Sequence, residues 1–470
     1  MKDAGIIAIT RLLRRAVDVK PNEVHALLLS CAYYFFILSS YYILRPIRDE
    51  VAVASGVRNL PWMFTGTLIA ILLVHPPFAA LVSRLPRTRF IAYTYRFFMA
   101  NLLVFFFLLR LAPGSWNFGI GVSFYWWVSV FNLFVVSVFW AFMADVFRSD
   151  QGKRLFGFIA VGGTVGAIVG ASTTAVLAEV IGPVYLILIS IVLIEIAVQA
   201  VRRLATVTRA PDESVPEESG PRIGGLPETE PGRGYSAHPR EAVGEELIGG
   251  KVWSGFTAVL GSPYLLGICA YMLLYTIMAT FLYFQQTDIV GLYFDDRAAR
   301  IAFFAKIDLA VNALTLTTQV FFTGRILKRL GVALTLTILP VICIIGFTGL
   351  GFWPLLGVLV AFQVARRAGN YAVARPTREV LYTVLSRDEK YKAKNLIDTF
   401  VYRGGDQVGA WAYGAMMFLG LSMSAIAFLA APICAIWAVV GYLLGRRQAK
   451  LARRQVRGDL AVQPAPAAAP

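Results

Sequence analysis

The chain has 470 residues, 57% of them hydrophobic and only 15% charged, and carries a formal net charge of +16. Soluble domains run near 25% charged, so this composition, with a mean hydropathy of +0.65, excludes a soluble globular protein. The positive balance does not point to nucleic acid, because most basic residues sit in short loops between apolar runs, the signature of membrane topology. Four scattered cysteines and three histidines support no disulfide framework, metal centre, cofactor or catalytic constellation.

In chain order, residues 1–22 read as a cytoplasmic amphipathic leader. Ile6, Ile9, Leu12, Leu13 and Val17 form its apolar side, and Arg11, Arg14, Arg15 and Lys20 supply charge, a pattern that lies on a membrane surface. Runs of the roughly 20 apolar residues needed to cross a bilayer follow at about 24–50, 59–83, 89–112, 120–147, 155–178 and 181–201. Residues 23–201 are therefore an N-terminal six-helix half. Residues 202–253 read as a disordered cytoplasmic linker, since Ala210 to Glu246 is rich in Pro, Gly, Ser and Glu and cannot bury a core. A second set follows at about 262–290, 299–323, 331–350, 353–374, 395–419 and 421–445, within a C-terminal half of residues 254–446. Residues 447–470, ending in PAPAAAP, read as a disordered cytoplasmic tail. The expected class is an all-α polytopic membrane protein with about twelve transmembrane helices in two six-helix pseudo-repeat halves.

Loop charge orients the chain. Basic residues such as Arg84, Arg87, Arg148, Arg154, Arg325, Arg329, Lys392 and Arg446 fall on one side, whereas the loops near Gly182, Gly351 and Gly420 have none. Both termini and the linker are expected in the cytoplasm, in a bacterial inner membrane. The halves also echo each other. GKRLFGFIAVGGTVGA (152–167) and KAKNLIDTFVYRGGDQVGA (392–410) each run from a basic loop to a Gly-Gly pair and then Gly-Ala. Two such halves resemble the major-facilitator plan, with substrate held at the midplane between them.

The most charged stretch of the first span is YYILRPIRDE, Tyr41–Glu50. On a helix, Tyr41, Arg45, Arg48 and Asp49 share one face. Charge inside a bilayer costs about 2.5–3.5 kcal/mol per residue, so it faces protein or water and marks a functional position by default. Snorkelling of the two arginines to lipid headgroups is the alternative. In the second half Lys306 and Asn312, with Thr315 and Gln319, read as a polar stripe on the eighth span. Gln363, Arg366, Arg367 and Asn370 do the same on the tenth. Arginine suits phosphate or carboxylate through its planar fork of donors, and Tyr41 and Tyr275 offer rings for stacking. Asp398, Arg403 and Asp406 are candidates for coupling or charge balance.

YYILRPIRDE resembles the first-helix motif of the ATP/ADP translocases, the nucleotide transport proteins: Leu44, Arg45 and Asp49 match, and Arg48 stands where that family has lysine. GKRLFGF (152–158) is similar to the stretch before that family's fifth helix, and TREVLYTVLSRDEKYKAKNLID (377–398) to the stretch leading into its eleventh. The resemblance implies exchange of ATP, ADP or related nucleotides. Carried over by position, it implies that Arg48 and Glu379 line the substrate path, with Arg45 and Asp49 beside them. After Arg403 and Gly404 the translocases have a lysine; here Gly405 is followed by Asp406, which weakens phosphate attraction locally. The expected activity is alternating-access transport of a small anionic solute, a nucleotide or phosphorylated metabolite, by a monomer in the bilayer. Proton-coupled transport of another small solute and a non-transporting docking or scrambling role are the alternatives.

Overall fold

The computed structural model describes residues 19–84, 87–111, 117–147, 149–209, 259–386, 389, 393–394 and 396–462. The leader up to residue 18 and most of the expected linker lie outside these. Among the described residues the regular structure is helical throughout. The N-terminal half comprises α1 (Val24–Ser55), α2 (Leu60–Arg84), α3 (Arg87–Leu111), α4 (Asn117–Val146), α5 (Ser149–Leu177) and α6 (Pro183–Arg209). The C-terminal half comprises α7 (Pro263–Tyr293), α8 (Arg297–Phe321), α9 (Thr323–Phe352), α10 (Leu356–Gly369), α11 (Arg375–Leu381), α12 (Tyr402–Phe418) and α13 (Met423–Val462). α9 breaks at Gly331, whose φ of 69° favours glycine.

Among the described residues, ten helices are long and apolar enough to cross a membrane. The tenth and eleventh expected crossings are not among them, because each is interrupted. A π-helical turn, Asn370–Ala374, joins α10 to α11, and another, Ile397–Val401, precedes α12. The polar residues Gln363, Arg366, Arg367 and Asn370 also lower the apolar content of the former, and Arg403 and Asp406 that of the latter. Such π turns cluster at functional sites.

Two expected boundaries move. α6 runs on to Arg209, past the expected start of the linker. α13 continues to Val462, so residues 447–462 are helix and not the expected disordered tail. The extension is anchored: Gln448 is buried, Leu451 packs against the core of the C-terminal half, and Gln455 Nε2 donates to the Val384 carbonyl at 3.1 Å.

Contacts between helices repeat across a pseudo-twofold axis. α1 packs on α5 and α6, and α7 packs on α12 and α13; between halves, α8 meets α5 and α2 meets α12. The glycine-rich echoes explain the close approaches. A Cβ at Gly166 or Gly170 of α5 would strike the Phe35 or Ser39 carbonyl of α1, and one at Gly409 of α12 would come within 3.0 Å of Ile277 Cα on α7. Small residues permit backbones to approach where lipid supplies no hydrophobic drive.

Each half has its own apolar core, but the cores trade residues at one end. Val51, Ala52, Val53, Val57, Leu60 and Met63 belong to the core of the C-terminal half, and Ile301 and Ala302 to that of the N-terminal half. Six crossings return the chain to its starting side, so α1 and α7 begin on one face, here the terminal face. The traded residues lie toward the opposite face, where the halves are sealed together.

Candidate functional site

A cavity of about 160 Å³ lies between the halves. α1 contributes Arg45, Arg48 and Asp49; α7 contributes Tyr275, Ala279, Tyr283 and Gln286; α8 contributes Phe304, Ile307 and Asp308. Gln363, Arg366 and Arg367 come from α10, Asn370 and Tyr371 from the π turn after it, and Tyr402 from the start of α12. Four arginines against two aspartates leave the lining with an excess of two positive charges.

Those charges form two linked groups. Asp49 Oδ1 accepts from Arg48 Nη2 at 2.6 Å and Nε at 3.1 Å, and from the Tyr283 hydroxyl of the other half at 3.2 Å. Arg45 Nε lies 3.8 Å from Asp49 Oδ2, and its Nη1 lies 3.5 Å from Asp308 Oδ1 across the divide. Arg367 Nη2 approaches the same Asp308 oxygen at 2.5 Å. The guanidinium of Arg45 lies over the Tyr42 ring at 5.7 Å and that of Arg48 over Tyr125 at 5.6 Å, both favourable for a desolvated cation.

Arg366 differs from the other three. Among the described residues it meets no carboxylate. Its Nη2 donates to Gln363 Oε1 at 3.1 Å, Gln363 Nε2 donates in turn to Gln286 Oε1 on α7, and Arg366 Nε is buried with no hydrogen-bond partner. At 8% exposure it is a nearly buried cation without a counter-ion, a placement that costs several kcal/mol unless an anion joins it.

Seven of the expected site residues therefore meet in one cavity: Arg45, Arg48, Asp49, Tyr275, Arg366, Arg367 and Asn370. The others lie elsewhere. Tyr41 is buried against Tyr42, with ring centroids 5.4 Å apart, outside the lining. Lys306 is exposed: it stands six residues before Asn312, about 240° away at 100° per residue, so it lies off the face that Asn312, Thr315 and Gln319 share. Asn312 is buried one turn beyond Asp308, donating to its carbonyl at 2.8 Å. Glu379 is exposed and pairs with Lys394 Nζ at 2.6 Å. Asp398 is exposed, and Arg403 and Asp406, within the first turn or so after Tyr402, face each other at 3.8 Å outside the lining.

Tyr283, Gln286 and Tyr371 line the cavity without having been expected there; Gln363 comes from the expected polar stripe of the tenth span, and Asp308 and Tyr402 join it. Part of the signal was present: 275, 279, 283 and 286 step by four, four and three, one continuous helical stripe. Glu50 was also missed. It is 1% exposed and receives Arg297 Nε at 2.9 Å and Arg300 Nη2 at 3.0 Å from the first turn of α8. This triad joins the halves at the sealed end, starting from the residue that follows Asp49.

With the geometry in place, the family follows. The model of the Major Facilitator Superfamily matches residues 24–377. The chain belongs to that superfamily. Solved structures of transporters share the fold: a bacterial homologue of the human lysosomal transporter Spinster, in an inward-facing and unoccupied conformation, matches with TM-score 0.57 and 14% identity over 92% of this chain and 99% of that one. The POT family transporter PepTSo matches with TM-score 0.59 and 14% identity over 90% and 98%, and an auto-inhibited POT family peptide transporter with 0.56 and 14% over 95% and 98%. No curated protein sequence matches. The chain is thus a multi-pass membrane transporter of the facilitator type, and its membership points to transport of a small solute rather than to enzymatic chemistry.

Proposed function

We propose that this facilitator carries an anionic solute, of the nucleotide or phosphorylated-metabolite class, by exchange through alternating access. The observation that carries the reading is Arg366, a buried guanidinium without a carboxylate in a cavity whose lining is positive by two charges. An oxyanion supplies the missing counter-ion, and guanidinium binds phosphate bidentately. The resemblance of Tyr41–Glu50 and Thr377–Asp398 to the ATP/ADP translocases favours a nucleotide. In the present state the cavity is smaller than the roughly 300 Å³ of pockets that enclose drug-sized molecules. It accommodates a phosphoryl group, so a whole nucleotide requires the halves to part on the terminal side. Tyr275 and Tyr402, with ring centroids 6.1 Å apart, would then meet a base or sugar. Loop charge favours termini in the cytoplasm, as in a bacterial inner membrane, and the sealed face is then the periplasmic one.

The test is uptake of labelled ATP, ADP and phosphorylated metabolites into proteoliposomes preloaded with the same unlabelled solutes. Anion exchange that disappears in Arg366→Ala, with membrane insertion unchanged, supports the reading; anion exchange undiminished in that variant overturns the site.

A further inference from the structure

Asp308 is bonded in an unusual way for a structural ion pair. It is 1% exposed, yet a single oxygen, Oδ1, serves both arginines, Arg367 at 2.5 Å and Arg45 at 3.5 Å. Its Oδ2 is buried without a hydrogen-bond partner, as are Nε of Arg45 and both Nε and Nη2 of Arg367, so Nη2 meets Oδ1 as an ion pair without an aligned hydrogen bond. A built arginine–carboxylate pair normally uses both oxygens against two parallel N–H groups. Here the two guanidinium groups each keep a donor unspent, and all three side chains line the same cavity as Arg366. Arg45 belongs to one half, and Asp308, Arg366 and Arg367 to the other.

We propose that Asp308 is an internal stand-in for the solute: in the empty carrier its carboxylate occupies the arginine donors that an incoming oxyanion takes over. The inference rests on the anion reading above and extends it to the charge and shape of the solute. The ligand is an oxyanion with at least two negative charges and oxygens spread over Arg45, Arg366 and Arg367, as in a phosphate monoester. When it binds, the bridge from Arg45 to Asp308 is replaced by one that runs through the solute, so the link between the halves depends on occupancy. The same stand-in lowers the cost of burying these arginines while the site is empty.

The experiment uses inorganic phosphate, small enough for the cavity, and needs no knowledge of the transported solute. Thermal unfolding of the full-length protein in detergent is followed for wild type, Asp308→Asn and Asp308→Asn/Arg366→Gln, in chloride and in phosphate at equal ionic strength. Asp308→Asn removes the stand-in charge and keeps the side-chain volume. Its unfolding midpoint is expected several degrees below wild type in chloride, with at least about half of the deficit recovered in phosphate through ligand stabilisation. The double variant is expected to show no such recovery. A deficit that is the same in both salts, or a recovery that persists without Arg366, overturns the proposal and leaves Asp308 a structural partner. Because uptake by wild type and Arg366→Ala is read separately, loss of this inference does not remove the transport assignment, and the absence of nucleotide exchange does not remove the stand-in.

Discussion

Glu50 of α1 and Arg300 of α8 meet at 3.0 Å across the boundary between the halves, with the carboxylate 1% exposed and Arg297 closing on its other oxygen at 2.9 Å. The pair sits where the two cores trade residues, and Thr65 and Gln407, in contact at 2.5 Å, add a second polar link between α2 and α12. A facilitator that alternates must break these contacts to open that face.

Glu50→Gln is therefore expected to loosen the seal. With the four native cysteines replaced by serine and Ala279→Cys placed in the cavity lining, an impermeant maleimide applied from the face opposite the termini should label the Gln variant on the order of tenfold faster, equivalent to about 1.4 kcal/mol. Equal labelling rates would show that the triad does not hold the face shut.

Arg48→Ala removes the 2.6 Å partner of Asp49 and leaves a buried carboxylate with Tyr283 and a distant Arg45. Breaking a buried pair in this way costs about 3–5 kcal/mol. Solute exchange in proteoliposomes should be lost while the protein still inserts, as judged by size-exclusion chromatography of the solubilised protein. Exchange at wild-type rate would take Arg48 out of the solute path.

Lys306→Ala and Glu379→Gln make the opposite prediction. Both side chains are exposed, and the Glu379–Lys394 pair is worth at most about 1 kcal/mol. Each variant should exchange solute within about twofold of wild type, a difference of under half a kcal/mol. A tenfold loss in either would mean that the path extends beyond the cavity lining.

Gly166→Val places side-chain atoms against the Phe35 carbonyl of α1, where Ser39 also donates to the Gly166 carbonyl at 2.9 Å. Overpacking of this kind costs about 1–3 kcal/mol. The yield of monodisperse protein and its unfolding midpoint should both fall. Unchanged values would mean that α1 and α5 can separate without penalty.

The division into two membrane halves was legible because hydropathy and loop charge report it directly, and the paired glycine runs carried the α1–α5 and α7–α12 contacts. The arginines of α1 and α10 were legible as candidates facing a cavity because charge in a membrane helix needs a reason. Asp308 and Glu50 were harder. Each takes its meaning from arginines on another helix, and no spacing within one segment reveals a partner that lies in a different one. Lys306 is a local case: a six-residue step is about one and two-thirds turns, so its side chain points away from the Asp308 face. The π turn after Gly369, which brings Asn370 and Tyr371 to the cavity, has no signature in composition or periodicity.

The anion site itself is tested most directly by thermal unfolding of the purified protein against a panel of nucleotides, phosphorylated metabolites, dicarboxylates and neutral solutes, with Arg366→Gln alongside. Phosphate-bearing anions are expected to raise the wild-type midpoint in a concentration-dependent manner and to leave the Gln variant unmoved. Stabilisation by neutral solutes alone, or an equal response from the variant, would contradict it.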